Sequence, residues 1–156
     1  MPIPAARLAL AERATRPFGA MFRLAQSIDL DRCVQDLVSI RASQMNRCAF
    51  CLDMHWQDAR AAGESEARLY GLDAWRGTSL YSERERAALE LCEAMTLVAE
   101  TGVPDEVWEC ARASFGEDEL AQLVFAIATV NAWNRLNVAT RLQPSHRRPG
   151  AVPRAA

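Results

Sequence analysis

An all-α fold follows from three features of the sequence. Apolar residues recur at three- and four-residue spacing through most of the chain, no stretch alternates as a half-buried strand does, and the breaks are helix caps and stops rather than Asn-Gly hairpin turns. At 156 residues, half of them apolar, the chain fits one domain that buries its core without help from disulfides or metals. The expected architecture is a multi-helix domain of about six to seven helices over residues 17–142, read from these periodic segments. Residues 1–16, with Pro2 and Pro4 and little periodicity, are expected to form an extended arm, and residues 143–156 a disordered tail.

Within the domain, Phe18, Met21, Phe22 and Ala25 place a first helix behind Pro17. Asp29 or Asp31 caps a second, running to about Gln44 with Cys33, Leu37 and Ile40 along one stripe. A tight break at Asn46-Arg47 starts a third near Arg47, which stops at Gly63, so the two make a hairpin with cysteines at its bend. A short helix from Ser65 to Tyr70 leads into an irregular segment containing Trp75. Ser82 and Glu85 have the spacing of a capping box, and the helix behind them is expected to reach Thr101-Gly102. Pro104 opens another helix, with Val107, Trp108 and Ala111 facing inward and Gly116 as its stop. The last runs from about Glu117 to Leu142, and its apolar centre from Leu120 to Trp133 belongs in the core or at a subunit contact.

Charge and composition narrow the function. The formal net charge is -2 and the arginines are spread along the chain, which argues against a nucleic-acid partner. The N-terminal apolar run is too short and interrupted for a signal peptide, and no stretch approaches the roughly 18 apolar residues of a membrane span. A cytoplasmic protein without a membrane partner is therefore expected. Of the five cysteines, Cys33, Cys92 and Cys110 are remote from one another in sequence and read as packing residues, whereas Cys48 and Cys51 are a close pair.

That pair carries the chemistry. Cys48, Cys51 and His55 form a C-x-x-C-x-x-x-H array, and helical spacing of three and four residues makes them neighbours on one face. A thiol in a first helical turn meets the positive end of the helix dipole and unpaired backbone N–H groups, both of which favour thiolate. An imidazole one turn on can take the thiol proton. Arg47 beside Cys48 further favours an anion there. The same cysteines can instead be core residues, or two of the ligands of a zinc site. A closed zinc site needs a fourth ligand, and the only other histidine is His146 in the tail. No metal or other cofactor is expected.

The run from Leu37 to His55, with Cys-Ala-Phe-Cys-Leu-Asp-Met-His at its end, together with Phe115 to Glu119 and Asn-Ala-Trp-Asn-Arg-Leu-Asn within Ala126 to Arg141, resembles the alkylhydroperoxidase D-like branch of the carboxymuconolactone decarboxylase family. The resemblance spans about residues 17–142 and implies a helical subunit assembled as trimers or hexamers. It implies a thiol peroxidase or disulfide oxidoreductase that takes a hydroperoxide and is reduced by a dithiol donor, lipoyl-type or thioredoxin-type. Carried to matching positions, it makes Cys51 the attacking thiolate, Cys48 the resolving and more exposed thiol, and His55 the proton relay. The relay's Glu, twelve residues before the first cysteine in the family, is Asp36 here. A Gly common before the first cysteine is Arg47, and a His sometimes found between the cysteines is Phe50.

Two other readings stand beside the enzyme: a non-enzymatic helical oligomer or dithiol redox sensor, and a decarboxylase-type enzyme of the same family, a branch that does not depend on a cysteine pair. Trp133, Asn134 and Arg135 read as residues that lock the last helix into core and interface.

Overall fold

Capping chemistry sets where the chain turns helical. In the computed structural model, which describes residues 5–144, the Asp31 carboxylate accepts from the Val34 N–H at 3.1 Å and starts the helix Arg32–Met45; Ser65 accepts from Arg68 and starts Glu66–Gly71. Ser82 and Glu85 complete a reciprocal capping box ahead of Glu83–Thr96. In chain order the helices are α1 (Leu10–Arg13), α2 (Thr15–Gln26), α3 (Arg32–Met45), α4 (Ala49–Ala61), α5 (Glu66–Gly71), α6 (Glu83–Thr96), α7 (Val98–Thr101), α8 (Asp105–Ser114) and α9 (Glu117–Thr140), with a 3-10 helix at Leu72–Gly77. No strand forms among the described residues, so the fold is all-α.

The expected helical segments are all present, two single-turn helices are added, and the segment around Trp75 that reads as irregular forms the 3-10 helix Leu72–Gly77. α1 lies inside what reads as an extended arm, and α2 begins two residues before Pro17. The arm is also anchored: the Arg7 N–H donates to the Thr140 carbonyl at 2.8 Å and its guanidinium to Ala139 at 3.1 Å, satisfying carbonyls that the end of α9 leaves free. α6 stops at Thr96 rather than Thr101, because Leu97 leaves helical geometry; α7 follows and Gly102 closes it at a φ of 64°. In α8, Ala111 is fully buried but Trp108 is 39% exposed, so the inward face is narrower than the sequence implies. The tail expected from residue 143 falls, from 145 to 156, outside the described residues.

α3 is the central element. Val34, Val38 and Ala42 pack with Ala88, Leu91 and Cys92 of α6, Ala111 of α8 and Leu123, Ile127 and Val130 of α9. On its other side Leu37 and Ile40 pack with Ala59 of α4, Leu69 of α5, Leu72 and Trp75 of the 3-10 helix, and Leu89 of α6. Fully buried Leu and Ile side chains such as these contribute about 1.5–3 kcal/mol each to folding. α9 packs with Leu123 and Ile127 completely buried, yet its Phe125 is 55% exposed. No helix among the described residues is long and apolar enough to cross a membrane.

Candidate active site

The site is built at the bend between α3 and α4. Past Met45, Arg47 takes the left-handed conformation (φ 55°), its N–H donating to Gln44 O at 3.1 Å while the Cys48 N–H donates to Ser43 O at 3.0 Å. Those two bonds form the six-to-one and five-to-two pattern that ends helices with a left-handed residue. They deliver Cys48 to the N-cap of α4 in extended backbone geometry, so α4 begins at Ala49 and not near Arg47. Cys51, in the first turn, donates its backbone N–H to Cys48 Sγ at 3.4 Å. The two cysteines are joined as a disulfide, with Cα atoms 5.3 Å apart.

Both cysteines are 1% exposed. Cys48 is therefore no more exposed than Cys51, contrary to the resemblance: the tight bend tucks it under the end of α3. Against Cys51 Sγ lies the Asn137 side chain of α9, donating from Nδ2 at 3.4 Å. Asn137 is the site residue that sequence reasoning missed. Its signal was available, since Asn131, Asn134 and Asn137 put one amide every three residues along the second half of α9.

These amides tie α9 to the bend. Asn46 Nδ2 donates to Asn131 Oδ1 at 2.8 Å and to Asn134 Oδ1 at 2.9 Å; Asn134 Nδ2 donates to Ser43 Oγ at 3.0 Å. Ser43 Oγ donates onward to Ser39 O, and Asn131 Nδ2 to Thr96 Oγ1 and Ile127 O. Asn134, with no exposed surface, and its neighbours Asn131 and Ser43 are thus paired on every side. Trp133 packs edge-on against Phe18 of α2 at 5.0 Å, and Arg135 donates to Asn131.

His55 lies one turn beyond Cys51, part-buried and without a hydrogen-bond partner among the described residues. Desolvation, and then the positive charge of Arg32, push its pKa down to about 4, so the imidazole is neutral near pH 7. Asp36 is buried on α3. Its Oδ2 accepts from Arg32 Nε at 2.7 Å rather than from His55. Burial raises its pKa above the ordinary carboxylate value despite Arg32, with Asp58 and Glu64 adding to the rise. The bend therefore joins Cys48 to Cys51, while Arg32 is the charge that Asp36 and His55 share.

Of the remaining thiols, Cys33 packs partly against the core cluster on the Leu37 and Ile40 side of α3, and Cys92 is wholly a packing residue. It is fully buried, donates to Val38 O at 3.3 Å, and has its pKa pushed up to about 12 by burial. The Cys33 thiol also meets a polar cluster, donating to Glu85 at 3.3 Å and Glu64 at 3.4 Å; burial and these two carboxylates raise its pKa to about 12. Cys110 is exposed. Among the described residues no three His, Cys, Asp or Glu side chains are grouped to hold a metal ion.

A helical hairpin with a disulfide at the N-terminus of its second helix, backed by an amide ladder from the last helix, defines a dithiol protein of all-helical type. The chain belongs to the carboxymuconolactone decarboxylase family, whose profile matches residues 12–94, and to its alkylhydroperoxidase D-like members. It is 44% identical over 119 residues to the uncharacterized protein YdfG of Bacillus subtilis (strain 168), covering 76% of this chain and 81% of that one. It superposes with a TM-score of 0.88 and 37% identity on ATU0492 of Agrobacterium tumefaciens, a protein of unknown function provisionally placed as the antioxidant defence protein AhpD, covering 92% of this chain and all of that one. The debrominase Bmp8, 17% identical with a TM-score of 0.74 over 88% of this chain and 75% of its own, shares the fold alone.

Proposed function

We propose that the protein is a thiol-dependent peroxidase and disulfide oxidoreductase, with Cys48, Cys51, His55 and Asp36 as its working residues. The observation that carries this reading is the Cys48–Cys51 pair at the start of α4, with a neutral imidazole one turn away. The likeness to a protein placed in antioxidant defence supports it.

In the reduced protein His55 takes the Cys51 proton. The thiolate attacks a hydroperoxide ROOH: the S–O bond forms, the O–O bond breaks, and the departing alkoxide takes the proton back from His55 and leaves as ROH. Cys51 is then a sulfenic acid. The Cys48 thiolate attacks that sulfur and the hydroxyl leaves with Cys48's proton as water, giving the disulfide. A dithiol donor of lipoyl or thioredoxin type reopens it and is itself oxidised to a disulfide, so each cycle converts ROOH and one dithiol to ROH, water and one disulfide. Asp36 acts at one remove by partly offsetting the Arg32 charge that His55 feels. Trimers or hexamers are the assembly this reading implies.

The test is a steady-state peroxidase assay with dihydrolipoamide or dithiothreitol as donor. Cys51→Ser should abolish turnover, because a serine hydroxyl cannot become a sulfenic acid. Cys48→Ser should allow a single turnover and leave Cys51 trappable by a dimedone-type reagent. His55→Gln should slow attack by roughly 10²–10⁴-fold, the usual worth of a positioned base, and Asp36→Asn by less. Sustained turnover by Cys51→Ser would sink the proposal; a trapped Cys48 in Cys51→Ser would reverse the two cysteine roles.

A further inference from the structure

We propose that Asn137 is a catalytic residue of the dithiol centre: its side-chain amide holds the Cys51 sulfur as thiolate. The inference rests on reading Cys51 as the attacking sulfur and extends that reading to a second helix. Asn137 Nδ2 stands 3.4 Å from Cys51 Sγ, hydrogen-bond distance for a sulfur acceptor, and both groups are almost completely removed from water. Asn137 is 9% exposed and Cys51 1%. An amide donor facing a buried disulfide sulfur makes only a weak bond. Reduction turns the same sulfur into an anion, and a donor to an anion in a dry site is worth roughly twice a neutral one. The bond therefore strengthens on passing from disulfide to thiolate.

The two sulfurs are not served alike. Cys48 Sγ receives the Cys51 backbone N–H, which is present in any helix capped by a cysteine. Cys51 Sγ receives a side chain from a helix 86 residues further on, which is there only because α9 docks in one register. That register is held by Asn46 on Asn131 and Asn134, and by Asn134 on Ser43. Asn137 is the next step of the same three-residue spacing. Asn131 and Asn134 make no hydrogen bond to either cysteine, so they fix the register while Asn137 meets the sulfur.

The test uses the full-length chain reduced and carrying Cys48→Ser, so that Cys51 is the one thiol of the pair. Alkylation of Cys51 by iodoacetamide is followed by peptide mass mapping from pH 5 to 11, beside the same chain with Asn137→Ala, Asn137→Leu, Asn137→Asp or Asn137→Ser. Loss of the donor in Asn137→Ala should move the midpoint of the profile up by about one to two pH units, the worth of a hydrogen bond to a charged group, and slow alkylation at pH 7. The plateau at high pH, where all Cys51 is thiolate, should rise severalfold, because the more basic thiolate is the better nucleophile. Asn137→Asp keeps the shape of the side chain but replaces the donor with a negative charge, and should shift the profile at least as far. Asn137→Ser keeps a hydroxyl donor and should recover part of the effect.

A merely structural role would lower thermal stability without moving the profile. If Asn137→Ala does not move it, the inference is overturned; should Asn137→Ala fail to fold, Asn137→Leu decides, since it keeps the size of the side chain and removes the donor without adding a charge. Alkylation involves no peroxide, so a failed peroxidase assay beside a shifted profile would overturn the peroxidase reading and leave the role of Asn137 standing.

Discussion

Arg47 shows how one residue shapes the site. The bend that delivers Cys48 needs a left-handed residue at this position, and Arg47 occupies it at a φ of 55°. A non-glycine residue pays about 1–2 kcal/mol for that conformation, offset in part by the greater freedom glycine has in the unfolded chain. Glycine meets no such cost, which is why it suits this position physically. Arg47→Gly should accordingly raise stability by up to about 1 kcal/mol, seen as a higher urea midpoint with an unchanged slope; a lower midpoint would mean that the Arg47 side chain contributes more than its backbone costs. His55 supplies a second test at this scale. Because burial and Arg32 hold its pKa near 4, its ring protons should show no titration between pH 6 and 8, and Arg32→Gln should raise the midpoint. An NMR titration with a wild-type midpoint above 6 would contradict the neutral-base reading.

At the scale of elements, the ladder of Asn131, Asn134 and Asn137 does for α9 what apolar packing alone does not. Apolar contacts tolerate small slides of one helix along another, whereas three paired amides do not. Asn134→Ala leaves Ser43 and Asn46 short of a buried partner, so a loss of roughly 1–3 kcal/mol is expected, measurable by chemical denaturation. A near-neutral result would mean water replaces the amide. The amide spacing is visible in the sequence, but not which of the three would reach the sulfur, because the crossing of α9 over the bend depends on contacts 86 residues apart. The end of α6 is likewise not visible in the sequence: nothing at Leu97 marks a stop, yet its backbone leaves helical geometry there.

For the whole molecule, the shifted groups set the range of pH over which it is stable. The folded pKa of His55 lies near 4 against an ordinary 6.5, so the unfolded chain binds more protons between those values and stability falls as pH drops through them. Burial alone would raise Glu85, but the hydrogen bonds from Arg68 and Ser82 hold it down to about 2 against an ordinary 4.5, extending the acid loss. Cys33 and Cys92 are raised from 9.0 to about 12; above pH 9 the unfolded chain sheds protons that the folded one keeps, and stability falls again. Melting temperature should therefore be highest between about pH 6.5 and 9 and decline on both sides. Cys92→Ala should flatten the alkaline decline; an alkaline limb as steep in that variant would assign it to other groups. Assembly is tested separately. Phe125 and Val98, 55% and 54% exposed, are large apolar groups left on the surface of one subunit. Light scattering at micromolar concentration should report more than one subunit, and a stable monomer would remove the assembly from the proposal.

Local chemistry determined much of this protein. Helix type, the caps at Asp31, Ser65 and Ser82, the bend at Asn46-Arg47 and the pairing of Cys48 with Cys51 all depend on residues within a few positions of one another, so the order of amino acids suffices to specify them. What required the tertiary structure depends on which distant groups meet and how much water they lose. The burial of Cys48 beside Cys51, the polar surroundings of Cys33, the pairing of Asp36 with Arg32 and the amide of Asn137 on Cys51 each involve separate elements or the solvent shared between them. Such contacts are products of packing, in which a helix's register against its neighbours, rather than its own periodicity, decides which side chains touch.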